Sequence, residues 1–168
     1  VAGTTVYVCC DAGLVAVDIQ DPLAPKIAAT VAMNSPTSVA VQFRYAFVTD
    51  AEGLKIVDVT VPAKMQRVGE LVAMADARNV YVAREYAYVA AGNEGVAIVD
   101  VTIPTKPRLV MHYDAEGRFG DANQVKVGMV NDSLYGIVAD GTSGVHVMQL
   151  VTPEDGGRSA YGFSPEPR

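Results

Sequence analysis

The chain has 168 residues, half of them hydrophobic and 19% charged, which is enough to bury a sizeable core and too apolar for intrinsic disorder. Thirteen basic against nineteen acidic side chains leave a net charge of −6, which argues against a general binder of nucleic acid or anionic membranes, since both need a basic surface. No apolar run reaches the ~18 residues of a membrane-spanning helix, and two cysteines cannot build a disulfide framework.

Taken in chain order, residues 1–3 read as the end of an innermost strand, with Gly3 leading into the next strand at Val6. No Met opens the chain and no export signal follows it, so the sequence is expected to be a processed mature chain or a piece of a longer one. One phrase then recurs four times. It begins Val6-Tyr-Val, Cys-Cys-Asp-Ala, Gly13-Leu-Val-Ala-Val-Asp18, followed by Pro22 and Pro25. It returns as Ala46-Phe-Val, Thr-Asp-Ala-Glu, Gly53-Leu-Lys-Ile-Val-Asp58, with Pro62 behind it. The third copy is Ala87-Tyr-Val, Ala-Ala-Gly-Asn-Glu, Gly95-Val-Ala-Ile-Val-Asp100, then Pro104 and Pro107. The fourth is looser: Gly136-Ile-Val, Ala-Asp-Gly-Thr-Ser, Gly144-Val-His-Val-Met-Gln149, then Pro153. The anchoring glycines stand 40, 42 and 49 residues apart.

Each copy reads as short strands rich in Val, Ile and Tyr, broken by Gly, Asp, Asn and Pro. Tight loops such as Asp50-Ala-Glu-Gly53 join the first two strands, with Gly or Asp supplying the positive φ of a hairpin turn. Proline after the Asp ends the second strand, because it cannot donate to the ladder. A third strand is expected at 67–73 and 108–113, and a fourth, innermost one at 79–83 and 124–127. No long segment has the apolar period of a helix. Val96-Ala-Ile-Val99 is apolar at successive positions, as in a strand buried on both faces. Four antiparallel strands per ~40 residues match one propeller blade. The fold expected is therefore all-β, a β-propeller of four-stranded antiparallel blades, about three and a half of which lie in residues 1–151, with Leu14, Leu54 and Val96 in equivalent places. Residues 152–168, with Gly156, Gly157, Pro165 and Pro167, read as a loop-rich tail leading toward a further strand. An open arc would leave unpaired edges, so further sequence or a partner chain is expected to complete the ring.

The glycine-led phrases ending in Asp18, Asp58 and Asp100, with Tyr45-Ala-Phe-Val48 and Tyr86-Ala-Tyr-Val89 ahead of two of them, resemble the LVIVD repeat. The resemblance covers most of residues 1–151; the fourth copy departs from it, with Gln149 in place of the Asp. It implies a β-propeller in the bacterial or archaeal cell envelope or secreted fraction, often near multihaem cytochromes, and no single reaction.

The candidate site residues fall into four groups. Asp18, Asp58 and Asp100, each at a strand end beside proline, read as turn caps accepting backbone N–H bonds. Asp76-Ala-Arg78 and Asp121-Ala-Asn123 precede innermost strands, with Ser35 in the matching place of Ser35-Pro-Thr-Ser-Val39. Ser35, Asp76, Arg78, Asp121 and Asn123 are thus candidates for a binding site at one mouth of a central channel. The plainer reading has them satisfying turn backbones. Cys9 and Cys10 are neighbours that point to opposite faces of a strand, so a vicinal disulfide would be strained. Redox or soft-metal chemistry stands there against two small buried residues. His112 and His146 are isolated, and His146, matching Lys55 of the second copy, is expected to face solvent. Gly117-Arg-Phe-Gly120 reads as part of a long loop, with no helix behind it to make a phosphate cradle. No catalytic residue, metal set or haem attachment motif is identified. The function expected is a non-enzymatic interaction module whose partner carries any haem. The alternative is a lactonase-like propeller hydrolase with a metal held by Asp76, Asp121 and Asn123.

Overall fold

A computed structural model describes residues 2–131 and 133–151; expectations for the tail at 152–168 lie outside them. Among the described residues there are fourteen strands, two short 3-10 turns and no α-helix. The strands form four antiparallel meanders. The first holds β1 (Thr5–Cys10), β2 (Gly13–Asp18) and β3 (Lys26–Val31). The second holds β4 (Ser38–Gln42), β5 (Tyr45–Asp50), β6 (Gly53–Asp58) and β7 (Gln66–Ala73). The third holds β8 (Asn79–Ala83), β9 (Tyr86–Ala90), β10 (Val96–Asp100) and β11 (Arg108–Tyr113). The fourth holds β12 (Ala122–Val130), β13 (Ser133–Asp140) and β14 (Gly144–Val151). Each sheet is one copy of the repeat, and fourteen strands make three and a half four-stranded blades. The expected strands at 67–73 and 124–127 extend to Gln66–Ala73 and Ala122–Val130.

The register shows why the repeat needs its anchor. Cys10 pairs with Gly13 and Asp50 with Gly53, so a two-residue turn closes each of these hairpins. Gly13 and Gly53 have φ of +115° and +134°, and a Cβ on either would run into the carbonyl of Val31 or Val72 on the third strand. The anchor thus supplies both a left-handed turn and close approach of an outer strand. The fourth-copy glycine, Gly144, has φ of +84° but nothing within 4 Å of a modest side chain.

Burial on both faces of the middle strands follows from stacking. Leu14, Leu54 and Val96 are each the residue after, or the first strand residue after, the anchor glycine, and each is fully buried. Tyr7, Leu14 and Ala16 of the first sheet pack on Ala46, Val48 and Val57 of the second. Phe47, Leu54 and Ile56 of the second pack on Ala87, Val89 and Val99 of the third. Tyr88, Val96 and Ile98 of the third pack on Val125, Val138 and Met148 of the fourth. Each such fully buried large apolar side chain contributes about 1.5–3 kcal/mol, so these three inter-sheet layers are the core. The innermost strands β4, β8 and β12 lie side by side, with β8 between the other two.

Candidate functional site: a charged seam on the innermost strands

The loops feeding β4, β8 and β12 carry the polar residues of the repeat at equivalent positions: Ser35, Asp76 and Asp121, then Thr37, Arg78 and Asn123, then Ser38, Asn79 and Gln124. Four of the five candidate binding residues converge. Arg78 grips Asp76 with two parallel bonds, Nε to Oδ1 at 2.9 Å and Nη2 to Oδ2 at 2.6 Å. Its Nη1 crosses to the fourth sheet, donating to Asp121 Oδ1 at 2.5 Å and Asn123 Oδ1 at 2.7 Å. Asn123 Nδ2 in turn donates to the Asp121 carbonyl at 2.7 Å and to its Oδ2 at 3.1 Å. The planar guanidinium suits this because its fork meets two carboxylates at once. The hydrogen bond to Asp76 first, and then that to Asp121, holds the Arg78 guanidinium protonated far above the ordinary range. Asn123 and Arg78 hold the Asp121 carboxyl below its ordinary value.

Beneath the ion cluster the backbones are joined. Gly92 and Ala122 exchange N–H···O bonds of 3.0 and 2.8 Å across the third and fourth sheets. Gly92 sits at φ of +56°, and a Cβ there would collide with Asp76 and Arg78. Ser35 does not join the cluster; it is exposed at φ 51° in its own loop. Its neighbours carry the link between the second and third sheets instead. Thr37 Oγ1 donates to the Ala77 carbonyl at 2.9 Å, and Asn79 Nδ2 to Ser38 Oγ at 3.0 Å. Asn79 Oδ1 then accepts the Val125 N–H at 3.1 Å. The polar positions therefore stitch each innermost strand to the next.

A second set of acids escaped the sequence reading. Asp50 and Asp140, the last residues of β5 and β13, are both fully buried. Asp50 accepts the N–H of Asn34 at 3.2 Å and of Glu52 at 2.9 Å, and pairs with Lys55 at 2.5 Å. Asp140 accepts the N–H of Gly120 at 3.0 Å and of Asp121 at 2.5 Å, and its Oδ2 lies 3.2 Å from His146 Nε2. Each fastens the loop that feeds an innermost strand. The signal lay in the alignment of Lys55 with His146, since in both copies an acid ends the preceding strand. His146 therefore does not face solvent as expected: its ring meets Phe119 edge-on at 4.9 Å, and its side chain is three-quarters buried beside Asp140. Lys55 is likewise only 4% exposed, and burial lowers its pKa less than Asp50 and Glu52 raise it. The loop at Gly117-Arg-Phe-Gly120 serves the same packing, with Phe119 buried against Tyr113 and His146.

Asp18, Asp58 and Asp100 each accept the N–H two residues on, from Gln20, Thr60 and Thr102, at 2.8, 2.8 and 3.0 Å. The Thr60 hydroxyl and N–H pull the Asp58 carboxyl down. Burial pushes Asp100 up, but the bonds from Thr102 and Arg108 outweigh it. Cys9 is half-buried and Cys10 exposed, so the reading of two buried residues fails for Cys10; both are free thiols. Cys10 Sγ points at the Gly13 carbonyl, 3.7 Å away. Burial, helped by Cys10, pushes the Cys9 thiol up to about 11. His112 lies 3.5 Å from Glu94, apart from the seam.

A groove of about 500 Å³ opens where the β4–β5 and β8–β9 turns meet, lined among others by Phe43, Arg44, Tyr45, Glu85 and Pro104. Phe43 is 92% exposed and sits at φ 53°. Arg44 stacks over the Tyr45 ring at 5.3 Å. Sequence reading passed over these residues, because only the burial of their neighbours makes an exposed phenylalanine stand out.

Fold and seam together define a repeat module of β-propeller type, in which copies of one sheet lean on each other. Residues 1–32, 35–71 and 75–115 match the LVIVD repeat, and the chain belongs to that family. The fourth sheet lies beyond the matched segments. No curated protein matches the chain.

Proposed function

We propose that the chain is a non-enzymatic scaffold that presents the groove between its second and third sheets to a protein partner. Phe43 carries the reading. Its left-handed backbone, shared with Arg84 and Asn131 in the matching hairpins, is the turn geometry of the repeat. Here it holds an aromatic ring out in solvent beside an arginine, a tyrosine and a proline, the composition of an interaction hot spot. The alternative of a metal-dependent hydrolase is weaker, because Asp76, Asp121 and Asn123 already surround the Arg78 cation in the place a metal would take. A cell-envelope setting and a multihaem cytochrome as the partner are what the family resemblance implies, and any haem then belongs to that partner.

The test is a titration of the full chain with a purified envelope multihaem cytochrome from the same source. Phe43→Ala with Arg44→Ala is expected to weaken binding at least tenfold at an unchanged unfolding midpoint. Equal binding by this variant, or none by the parent chain, sinks the reading. One equivalent of Ca²⁺, Mg²⁺ or Zn²⁺ in the purified protein, lost in Asp121→Ala, would favour the hydrolase instead.

A further inference from the structure

Charge in this fold is sorted by end. In each of the first three sheets the strands are in register at one end: Thr5, Asp18 and Lys26 stand side by side, as do Tyr45, Asp58 and Gln66, and Tyr86, Asp100 and Arg108. Two grooves bring these ends together, one joining Thr4 and Gln20 to Val61 and Pro62, the other joining Arg44 to Glu85 and Pro104. Lys26, Arg44, Lys64, Arg67, Arg84 and Lys106 are all exposed at this end. Among the described residues of the three sheets, Asp21 is the exposed acid set against them. Asp18, Asp58, Asp100 and Glu85 are half-buried there, the first three with a carboxylate oxygen turned onto a backbone N–H. At the opposite end the exposed acids are Asp11, Glu52, Glu94, Asp114 and Glu116, with Arg118 as the exposed cation. The net charge of −6 averages over this division, so the expectation against anionic surfaces does not hold for the basic end.

The same end carries protruding aliphatic tips. After β2, β6 and β10 the chain makes a tight turn, closed by N–H···O bonds from Ala24 to Asp21, Lys64 to Val61 and Lys106 to Ile103 at 3.0, 2.8 and 2.7 Å. Pro22, Pro62 and Pro104 stiffen these turns. Leu23, Val61 and Ile103 stand out from them, 95%, 50% and 57% exposed, and Lys26, Lys64 and Lys106 follow close behind in the chain. Each sheet therefore ends in one rigid apolar tip with a lysine beside it. The tips are separate, one per sheet, so a protein would need a matching pocket for each, whereas the apolar border of a bilayer receives them anywhere. Clusters of about four to eight basic side chains are what holds a peripheral protein on anionic lipid.

We propose that this end docks on an anionic lipid bilayer, with its lysines and arginines at the headgroups and Leu23, Val61 and Ile103 dipping into the interface. The acidic end is repelled by the same surface, so the division of charge sets the orientation. Docking of this kind needs no protein partner and goes beyond that reading. The Phe43 groove opens at the docked end, where a protein partner would meet it at the membrane surface.

The experiment is flotation of the full chain with vesicles of phosphatidylcholine containing about one-third phosphatidylglycerol, beside vesicles of phosphatidylcholine alone. The parent chain is expected to float with the anionic vesicles, to stay behind with the neutral ones, and to be released in part by half-molar NaCl, which screens the headgroup charge. Lys64→Glu with Lys106→Glu is expected to weaken partition about 25-fold or more, since each cation at such a surface contributes about fivefold. Leu23→Ser with Ile103→Ser keeps the charge and is expected to weaken partition about tenfold at an unchanged unfolding midpoint. Glu116→Lys reverses a charge at the acidic end, on a side chain 92% exposed, and is expected to leave partition unchanged. No adsorption to the anionic vesicles overturns the proposal, and so does equal adsorption to the neutral ones. Tighter adsorption of Glu116→Lys also overturns it, since net charge and not the basic end would then decide. Capture by immobilised polyglutamate without adsorption to vesicles overturns it too, and would assign this end to an acidic protein.

Discussion

Gly53 has no room for a side chain and no alternative backbone conformation. A left-handed turn costs a non-glycine residue roughly 1–2 kcal/mol, and here the added methyl also meets the Val72 carbonyl of the neighbouring strand. Gly144 has only the first of these problems. Gly53→Ala is therefore expected to lower unfolding free energy by about 3 kcal/mol or more, and Gly144→Ala by about 1–2 kcal/mol, the conformational share alone. Urea unfolding of the two variants reads the difference directly. Equal losses would show that the approach of the outer strand, and not the turn alone, has been misassigned as the reason the repeat keeps its glycine. The repeated aspartates next to the prolines act at the same scale, each closing a turn on the N–H two residues ahead. Their two-residue reach made that role readable from sequence.

At the scale of the element, what matters is how an innermost strand is fed and held. β12 begins where Asp140 receives the N–H groups of Gly120 and Asp121. Burial raises the Asp140 pKa, but the two N–H bonds and His146 outweigh it and leave the carboxyl below its ordinary value. A carboxyl held low in the fold stabilises fully above its unfolded pKa of about 3.9, and this stabilisation drains as pH falls toward the folded value. Stability is thus expected to drop between pH 4 and pH 2 more steeply in the parent chain than in Asp140→Asn, which has no such proton to take up. Unfolding midpoints at pH 7 and pH 3 check this, and parallel slopes would remove Asp140 from the account. The strands themselves were legible because short runs rich in Val, Ile and Tyr, bounded by Gly and Pro, fix strand type locally. Asp50 and Asp140 were not, since their partners Asn34 and Gly120 lie 16 and 20 residues upstream. Alignment of the copies tells which residues share a ring of equivalent positions. It does not tell which side chain reaches into the next sheet, and so it gathered Asp76, Arg78, Asp121 and Asn123 while wrongly including Ser35.

At the scale of the molecule, the main contacts among the described residues run from each sheet to the next, so stability resembles a sum over sheets and the seams between them. Cutting one seam should then weaken the sheets beyond it before the rest. At the seam between the third and fourth sheets Arg78 sits between Asp76 and Asp121. These three side chains are 32%, 42% and 46% exposed, so their attraction is screened by salt. Arg78→Ala removes the cation and leaves two carboxylates facing each other over the Gly92–Ala122 bridge. Hydrogen exchange is the suitable readout, because it reports opening unit by unit. Amides of β12, β13 and β14 are expected to lose protection in Arg78→Ala while those of β5 and β6 keep theirs. Half-molar NaCl should move the parent chain the same way by a smaller step, and Arg78→Lys, which cannot grip Asp76 with two bonds, should fall between. Uniform loss across all four sheets would mean that they unfold as one cooperative block. The apolar layer of Tyr88, Ile98 and Met148 would then hold the fourth sheet in place without help from the charges above it.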